Sequence, residues 1–366
     1  MSTPTSNEVH RTNASLDIMF LQDATENQQP YIDTARNEIN QISNTLLSGE
    51  NFAPEDIRFG LVAFRDHPPE EDSFVIQEYP FTSDVASFAS DLASLKAEGG
   101  GDLPDCQGDA LAAAYKADWR DGATKVVVLV TDSLPHGVIN DDRNDGDGFP
   151  LGCPLQNDPL RIAKSMGIAG ITLHVIACEP TLSNDHKGGR DFYQGLAKRT
   201  GGRMIDLSDM SVLPTLIAGS ALEAVDSELY VTKHRAEVRS IADKDNISAK
   251  DISLRLHKDL VAAGVQHSTL VVDNVYHKNF EVAGVQQSTI VVDNVCEQRD
   301  QHVDTWFNAE NLGEGRKKIQ QLGVDRVVEN YQANVVVAEQ SAGVETKLIS
   351  LAQVEAVVHK CLVREL

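Results

Sequence analysis

KVVVLVTDS, from Lys125 to Ser133, is the stretch that decides the fold. Five apolar residues in a row, mostly β-branched, with a basic residue before them and Thr131, Asp132 and Ser133 after, read as a strand buried on both faces. Its polar tip marks the carboxyl end, the edge at which open α/β sheets carry ligands. ITLHVIA, from Ile171 to Ala177, has the same texture. Working outward from these two, further strands are expected at Leu16 to Leu21, Ile57 to Phe64, Phe74 to Tyr79 and Gly202 to Asp206. Helical patterns fall between and after them: Pro30 to Leu47, Asp84 to Lys96, Asp105 to Asp118, Asp158 to Met166, Asp191 to Arg199 and Asp209 to Asp226. Several begin with Asp or Ser beside Pro, as a first turn prefers. The expectation is an α/β fold: a doubly wound, Rossmann-like, mostly parallel sheet of six strands with one antiparallel edge.

The chain has 366 residues, which suggests two domains. A polar tail, 1–15, precedes the α/β domain, expected over 16–229; residues 230–366 read as a small helical or α+β module. Within that module Thr232 to Lys244, Ser248 to Ala263, Asn308 to Gln321 and Leu351 to Leu362 look helical. AGVQHSTLVVDNV at Ala263 to Val275 recurs as AGVQQSTIVVDNV at Ala283 to Val295, identical at 11 of 13 positions. The duplication spans 263–295. Two copies are too few for a solenoid, so a recent local duplication is the plain reading and a hairpin of the two STxVVDNV runs the structural alternative.

With 41% hydrophobic and 24% charged residues the chain can bury cores. A formal charge of -23 argues against nucleic acid or an anionic membrane surface as partner, because phosphate binding draws on clustered Lys and Arg. No apolar run is long enough for a membrane span, and the first 15 residues lack the core of a signal peptide, so a cytoplasmic protein is expected. Five scattered cysteines without a CxxC pair read as buried free thiols.

Candidate chemistry gathers at the strand ends. Asp23 and Thr25, in the loop after the first strand, offer hard oxygen ligands; on that segment alone a helix cap explains them equally well. A glycine loop, Gly99 to Gly101, delivers Asp102 just ahead of a helix, and Asp132 closes KVVVLVT. Three acids at the ends of separate segments on one sheet edge are harder to read as independent caps, and favour a bound divalent cation. The acidic stretch NDDRNDGDG, 140–148, fails as a calcium loop because Arg143 and Gly152 fall on ligand positions. His67 and His136, near the same edge, read as surface or cap residues.

Taken together, these motifs resemble the von Willebrand factor A domain, whose metal-ion-dependent adhesion site combines a D-x-[ST]-x-S loop, a Thr or Asp in a second loop and a later Asp after an apolar strand. Within that family the chain resembles the A module of the slime-mould alpha-kinase and its fungal relatives: FGLVAFRDHPP, GGGDLPD, VTDSLPHG, FPLGCP, VIACEP, the DFY helix and TGG, over about Asp17 to Glu228. It implies a metal held by Asp23, Thr25, Asn27, Asp102 and Asp132, with Asn27 where the family has Ser. That departure disfavours Mg²⁺, which needs near-ideal octahedral geometry, relative to Ca²⁺ or Mn²⁺. It further implies recognition of a partner protein through an acidic or hydroxyl side chain that completes the metal's coordination, coupled to a shift of the helix from Asp209 to Asp226.

The alternatives are a metal-free scaffold acting through residues 230–366, and a regulator tied to alpha-kinase (serine/threonine kinase) pathways. The 137 residues after Leu229 are too few for an alpha-kinase domain and lack its glycine-rich loop and Cys/His cluster. No Walker loop, G-x-G-x-x-G, H-E-x-x-H or G-x-S-x-G motif is present, and Asp23 lacks the second Asp of an Asp-x-Asp-x-Thr phosphatase. A non-enzymatic binding protein is therefore expected.

Overall fold

The computed structural model describes residues 15–48, 52–138, 146–186, 188–245, 247–272, 289–323 and 340–364. Six strands form one sheet: β1 (Leu16–Asp23), β2 (Ile57–Phe64), β3 (Ile76–Thr82), β4 (Thr124–Thr131), β5 (Ile171–Cys178) and β6 (Met204–Leu207), in the spatial order β3-β2-β1-β4-β5-β6. All neighbours run parallel except β3, which pairs antiparallel with β2. The central strands are buried along their whole length because both faces are covered, and period-2 alternation sends successive residues to opposite cores. Ile18, Phe20, Val126 and Val128 pack on one face with α1 (Gln29–Leu47), α2 (Val85–Ser94) and the first part of α7 (Leu213–Asp245). Met19, Leu21, Val127 and Leu129 pack on the other with α3 (Gln107–Lys116), α4 (Pro159–Ile168) and α6 (Gly189–Lys198). A short helix, α5 (Thr181–Asp185), follows β5.

Two expected strand starts move inward. Phe74 precedes β3, its ring receiving the Arg65 guanidinium 4.5 Å from the centroid. The sixth strand begins at Met204 instead of Gly202. The helices expected at Asp209 to Asp226 and Thr232 to Lys244 are one continuous helix, α7. Asp84 and Asp158 cap α2 and α4 through their side chains, as their positions before apolar runs foretold.

After α7 come α8 (Ala249–Ala262), β7 (Gln266–Val272), α9 (Thr289–Asn308), α10 (Leu312–Leu322), β8 (Ala342–Leu348) and α11 (Leu351–Val363). This segment completes the cores already built: Leu270 of β7 joins the α1/α7 face, and Trp306 of α9 joins the α6 face, edge-on to Phe192 at 5.2 Å. A third cluster lies between α7, α8 and α11, with Val231, Val238, Leu256, Val357 and Val358.

The duplicated sequence does not fold back on itself. The first copy supplies β7, which pairs antiparallel with β8, whereas Thr289 to Val295 of the second copy open α9; the earlier part of that copy lies outside the described residues. The same T-x-V-V run is strand where β8 offers a ladder and helix elsewhere, a case of tertiary partners overriding β-propensity.

Candidate functional site

The carboxyl ends of β1 and β4 bring three hydroxyls and a carboxylate together. Asp23, the last residue of β1, is fully buried. Its Oδ1 accepts from Thr25 N at 3.0 Å and Thr25 Oγ1 at 2.6 Å; its Oδ2 accepts from Thr131 Oγ1 at 2.8 Å. Ser133 Oγ lies 3.4 Å from Asp23 Oδ2 and makes a short hydrogen bond to Asp105 Oδ2. Asp132 stands beside them, largely buried. The loop that carries Ser133 is fixed from behind, where Tyr193 OH of α6 donates to Ser133 O at 2.6 Å.

The glycine loop is pressed against Thr25. Glu26 N donates to Gly99 O at 3.1 Å and Glu98 N to Ala24 O at 3.0 Å. Gly100 has φ +86°, and a Cβ there would sit 3.0 Å from Thr25 Cβ, so only glycine serves. Arg65 clamps both loops, donating to Ala24 O at 3.2 Å and Lys96 O at 2.8 Å.

Of the residues expected to surround a cation, Asp23, Thr25 and Asp132 converge on this crevice. Asn27 is exposed, in the single 3-10 turn Glu26–Gln28. Asp102 belongs to a neighbouring group: its Oδ2 accepts from Gly148 N at 2.5 Å, and it clusters with Asp66 and His136. The acid that shares Ser133 with Asp23 is Asp105, three residues further on. Sequence reasoning assigned Asp105 to the start of a helix; the glycine loop and Pro104 place both acids ahead of α3, and nothing in the spacing tells which one turns inward.

Around Asp23, Asp105 and Asp132 the electrostatics are those of buried negative charge, with no cationic side chain among the described residues partnering these acids. Burial pushes the Asp23 carboxyl up; burial, and then Asp23, hold Asp105 well above the usual carboxylate range and push Asp132 up to about 7. Asp102 is likewise pushed up to about 7 by burial, with Asp66 adding to it. Among the described residues, Asp105 Oδ1, Asp66 Oδ2 and Asp102 Oδ1 are buried with no hydrogen-bond partner. Such atoms are costly unless something positive meets them, so the donor set fits a hard divalent cation.

His136 and His67 are not surface residues. His136 is buried and donates to Asp66 Oδ1 at 2.6 Å from Nε2 and to Asp147 Oδ1 at 2.9 Å from Nδ1. Burial works against a charged imidazole, but its hydrogen bonds to the Asp147 and Asp66 carboxylates win and push it up to about 9. Asp147 is the described end of the acidic stretch; 140–145 lie outside the described residues. Asp66, Asp147 and His136 could not have been joined from sequence, since they are distant along the chain and meet only in the fold. Cys106, Cys178 and Cys361 are buried free thiols and Cys153 is a half-buried one.

Residues 17–218, more than half of the chain, match the von Willebrand factor type A domain. The chain belongs to this family. Over 144 residues it is 24% identical to the alpha-protein kinase vwkA of Dictyostelium discoideum, the alignment taking 39% of this chain and 22% of that protein. The chain thus spans about a fifth of the curated relative it matches. Solved structures similar to the A domain include the open pilus adhesin SpaC of Lactobacillus rhamnosus GG, 14% identical over 58% of this chain and 30% of that one, TM-score 0.43. Another is a von Willebrand factor type A protein of Catenulispora acidiphila, 15% identical over 58% and 43%, TM-score 0.36. A third is proximal thread matrix protein 1 of the mussel byssus with a zinc-occupied MIDAS motif, 15% identical over 57% and 45%, TM-score 0.35. A domains commonly act as protein-interaction modules through that motif. Among the described residues no helix is long and apolar enough to cross a membrane.

Proposed function

We propose that the chain is an intracellular, non-enzymatic protein-binding module whose A domain holds a divalent cation in the crevice between β1 and β4. The residues that would hold it are Asp23, Asp105 and Ser133, with Thr25 and Asp132 around them and Asn27 and Asp102 at the periphery. The observation that carries this reading is the meeting of Asp23 and Asp105 on one hydroxyl, with Asp105 Oδ1 buried and unpartnered. When bound, the ion supplies a Lewis-acid coordination position for an oxygen of a partner protein. Three carboxylates around one divalent charge leave a net charge of -1, which favours a hydroxyl or a carbonyl over an incoming carboxylate.

The chain's own residues do the positioning. Thr25 and Thr131 hold the two Asp23 oxygens, Tyr193 fixes the Ser133 loop, and Arg65 keeps the Ala24 and Lys96 carbonyls in register. The pocket is therefore organised before a ligand arrives, which lowers the cost of binding.

Thermal unfolding in EDTA against Mg²⁺, Ca²⁺ or Mn²⁺ tests the cation. An ion bound only by the folded state at 100 times its Kd adds about 2.7 kcal/mol. Partner capture from an extract, repeated with Asp132→Ala and with EDTA, tests its use; indifference to both supports a scaffold acting through residues 230–366. The relative's name, an alpha-protein kinase, motivates one further reading, a regulator allied to such kinases, which ATP turnover by the purified chain and capture of a kinase partner would address.

A further inference from the structure

Beside that crevice, and sharing none of its ligands, three side chains of different chemistry point at one another. His67 lies on the loop after β2, Asp109 in the first turn of α3, and Cys153 on the loop that leads into α4. His67 Nε2 is 3.0 Å from Asp109 Oδ2, Cys153 Sγ is 3.1 Å from the same oxygen, and Sγ and Nε2 are 3.6 Å apart. The thiol donates to Asp109 Oδ2, the same oxygen that faces Nε2, so sulfur, nitrogen and oxygen converge on one point. A catalytic Cys-His-Asp relay would instead use the two ring nitrogens for the two partners.

The Sγ–Nε2 edge of the triangle, 3.6 Å, has the length of an edge of a metal coordination face, and the two edges at Asp109 Oδ2, 3.0 and 3.1 Å, would open by roughly 0.3–0.5 Å around an ion. Bonds of roughly 2.0–2.1 Å to nitrogen, 2.0–2.2 Å to oxygen and 2.3 Å to sulfur at tetrahedral angles put ligand atoms roughly 3.3–3.6 Å apart. The surroundings orient the ligands as outer partners of a metal site do. Asn157 Nδ2 donates to Asp109 Oδ1 at 2.7 Å, which leaves Oδ2 free to face His67 and Cys153. The Phe149 ring stands edge-on to His67 at 5.4 Å and holds the imidazole plane. His67 and Asp109 are buried, while Cys153 is half-buried and gives an ion a way in.

We propose that His67, Asp109 and Cys153 form a second metal site, of the Zn²⁺ class, with the fourth corner taken by solvent. Thiolate and imidazole ligands select a softer ion than the all-oxygen crevice does, so the two sites divide the available metals between them. Binding displaces the thiol proton to solvent and ties the loop through Cys153 and Asn157 to the head of α3.

Co²⁺ serves as the spectroscopic stand-in for Zn²⁺, added to the full-length chain after chelator treatment. One equivalent is expected to give a thiolate-to-cobalt charge-transfer band and the strong visible absorption of a tetrahedral ion, both lost on adding Zn²⁺. Cys153→Ser removes the charge-transfer band, Asn157→Ala weakens binding by about 10–100-fold, and Asp23→Ala leaves the cobalt spectrum unchanged. Far-UV circular dichroism verifies that each variant is folded. A folded wild-type chain without the thiolate band overturns the proposal, as does a band that survives Cys153→Ser. Visible cobalt absorption that lacks the thiolate band and disappears with Asp23→Ala places the cobalt in the all-oxygen crevice, which overturns the second site and leaves the proposed function standing.

Discussion

Asp23 and Asp105 approach each other through a single hydroxyl, that of Ser133, and both carboxyl groups are buried. Each raises the cost of charging the other. Binding sites assembled from like charges trade stability for function, so relieving the charge should stabilise the empty fold. Asp105→Asn is expected to raise the unfolding temperature in EDTA and to abolish the increment given by divalent ions. A lower unfolding temperature in EDTA would mean that the carboxylate is held by the protein alone.

A different carboxylate shows the opposite balance. Asp17 at the start of β1 is fully buried, and burial alone would push its carboxyl up. Hydrogen bonds from Arg58 at 2.7 and 2.9 Å and from Arg120 at 2.9 Å outweigh that and hold it below the usual range. A depressed folded value contributes stability above the unfolded value of about 3.9, and loses it as pH falls through the folded one. Asp17→Asn should therefore cost about 2–3 kcal/mol near neutral pH. The gap between wild type and variant should stay flat down to about pH 5 and close below pH 4. Urea titrations at several pH values measure it; a gap that widens in acid contradicts the ion-pair account.

The contact of α9 with α6 leaves no room at Gly195, where a Cβ would come within 2.6 Å of Trp306 Cβ and 2.8 Å of Val303 O. Gly195→Ala gains helix propensity on α6 yet must push α9 away, and overpacking of this kind costs about 1–3 kcal/mol. The variant is expected to lose stability and to become cleavable by protease within α9, which limited proteolysis and mass spectrometry would read. Unchanged cleavage would mean that the α6/α9 contact yields without cost.

On α7, Glu228 accepts from Arg364 at 2.5 and 2.7 Å, and from Lys360 at 3.3 Å, a lysine of α11 that is itself fully buried. Removing one member of a buried pair leaves an uncompensated charge, at about 3–5 kcal/mol. Glu228→Gln should thus cost more than Lys360→Met, and the double variant should recover much of the loss. A double-mutant cycle by chemical denaturation gives the coupling directly; strict additivity would show that the two charges do not interact.

Strands β1, β2, β4 and β5 were legible to within two residues because burial on both faces writes predominantly apolar runs. β8 was not: three of the seven residues of AGVETKL are glycine or charged, and its strand character comes from pairing with β7. The opening of α9 was hidden for the complementary reason, since its β-branched run copies a segment that is a strand elsewhere. At the candidate site, the acids could be found from their places after strands and glycines. Which of Asp102 and Asp105 turns toward Asp23 depends on loop dihedrals at Gly99 and Gly100, both at positive φ. The burial of His67 and His136 depends on Asp109, Asp66 and Asp147, partners that only the folded chain brings near.

α7 runs 33 residues without a break. At a rise of 1.5 Å per residue it is a rod of about 50 Å, and beyond Gly219 it contains neither glycine nor proline at which to bend. Its first half is cemented to the sheet and α1, its second to α8 and α11. Such a rod transmits rather than absorbs. A displacement of Leu213 along the helix axis would therefore be carried toward the cluster at α8 and α11, and the sheet and that cluster are joined through one continuous element.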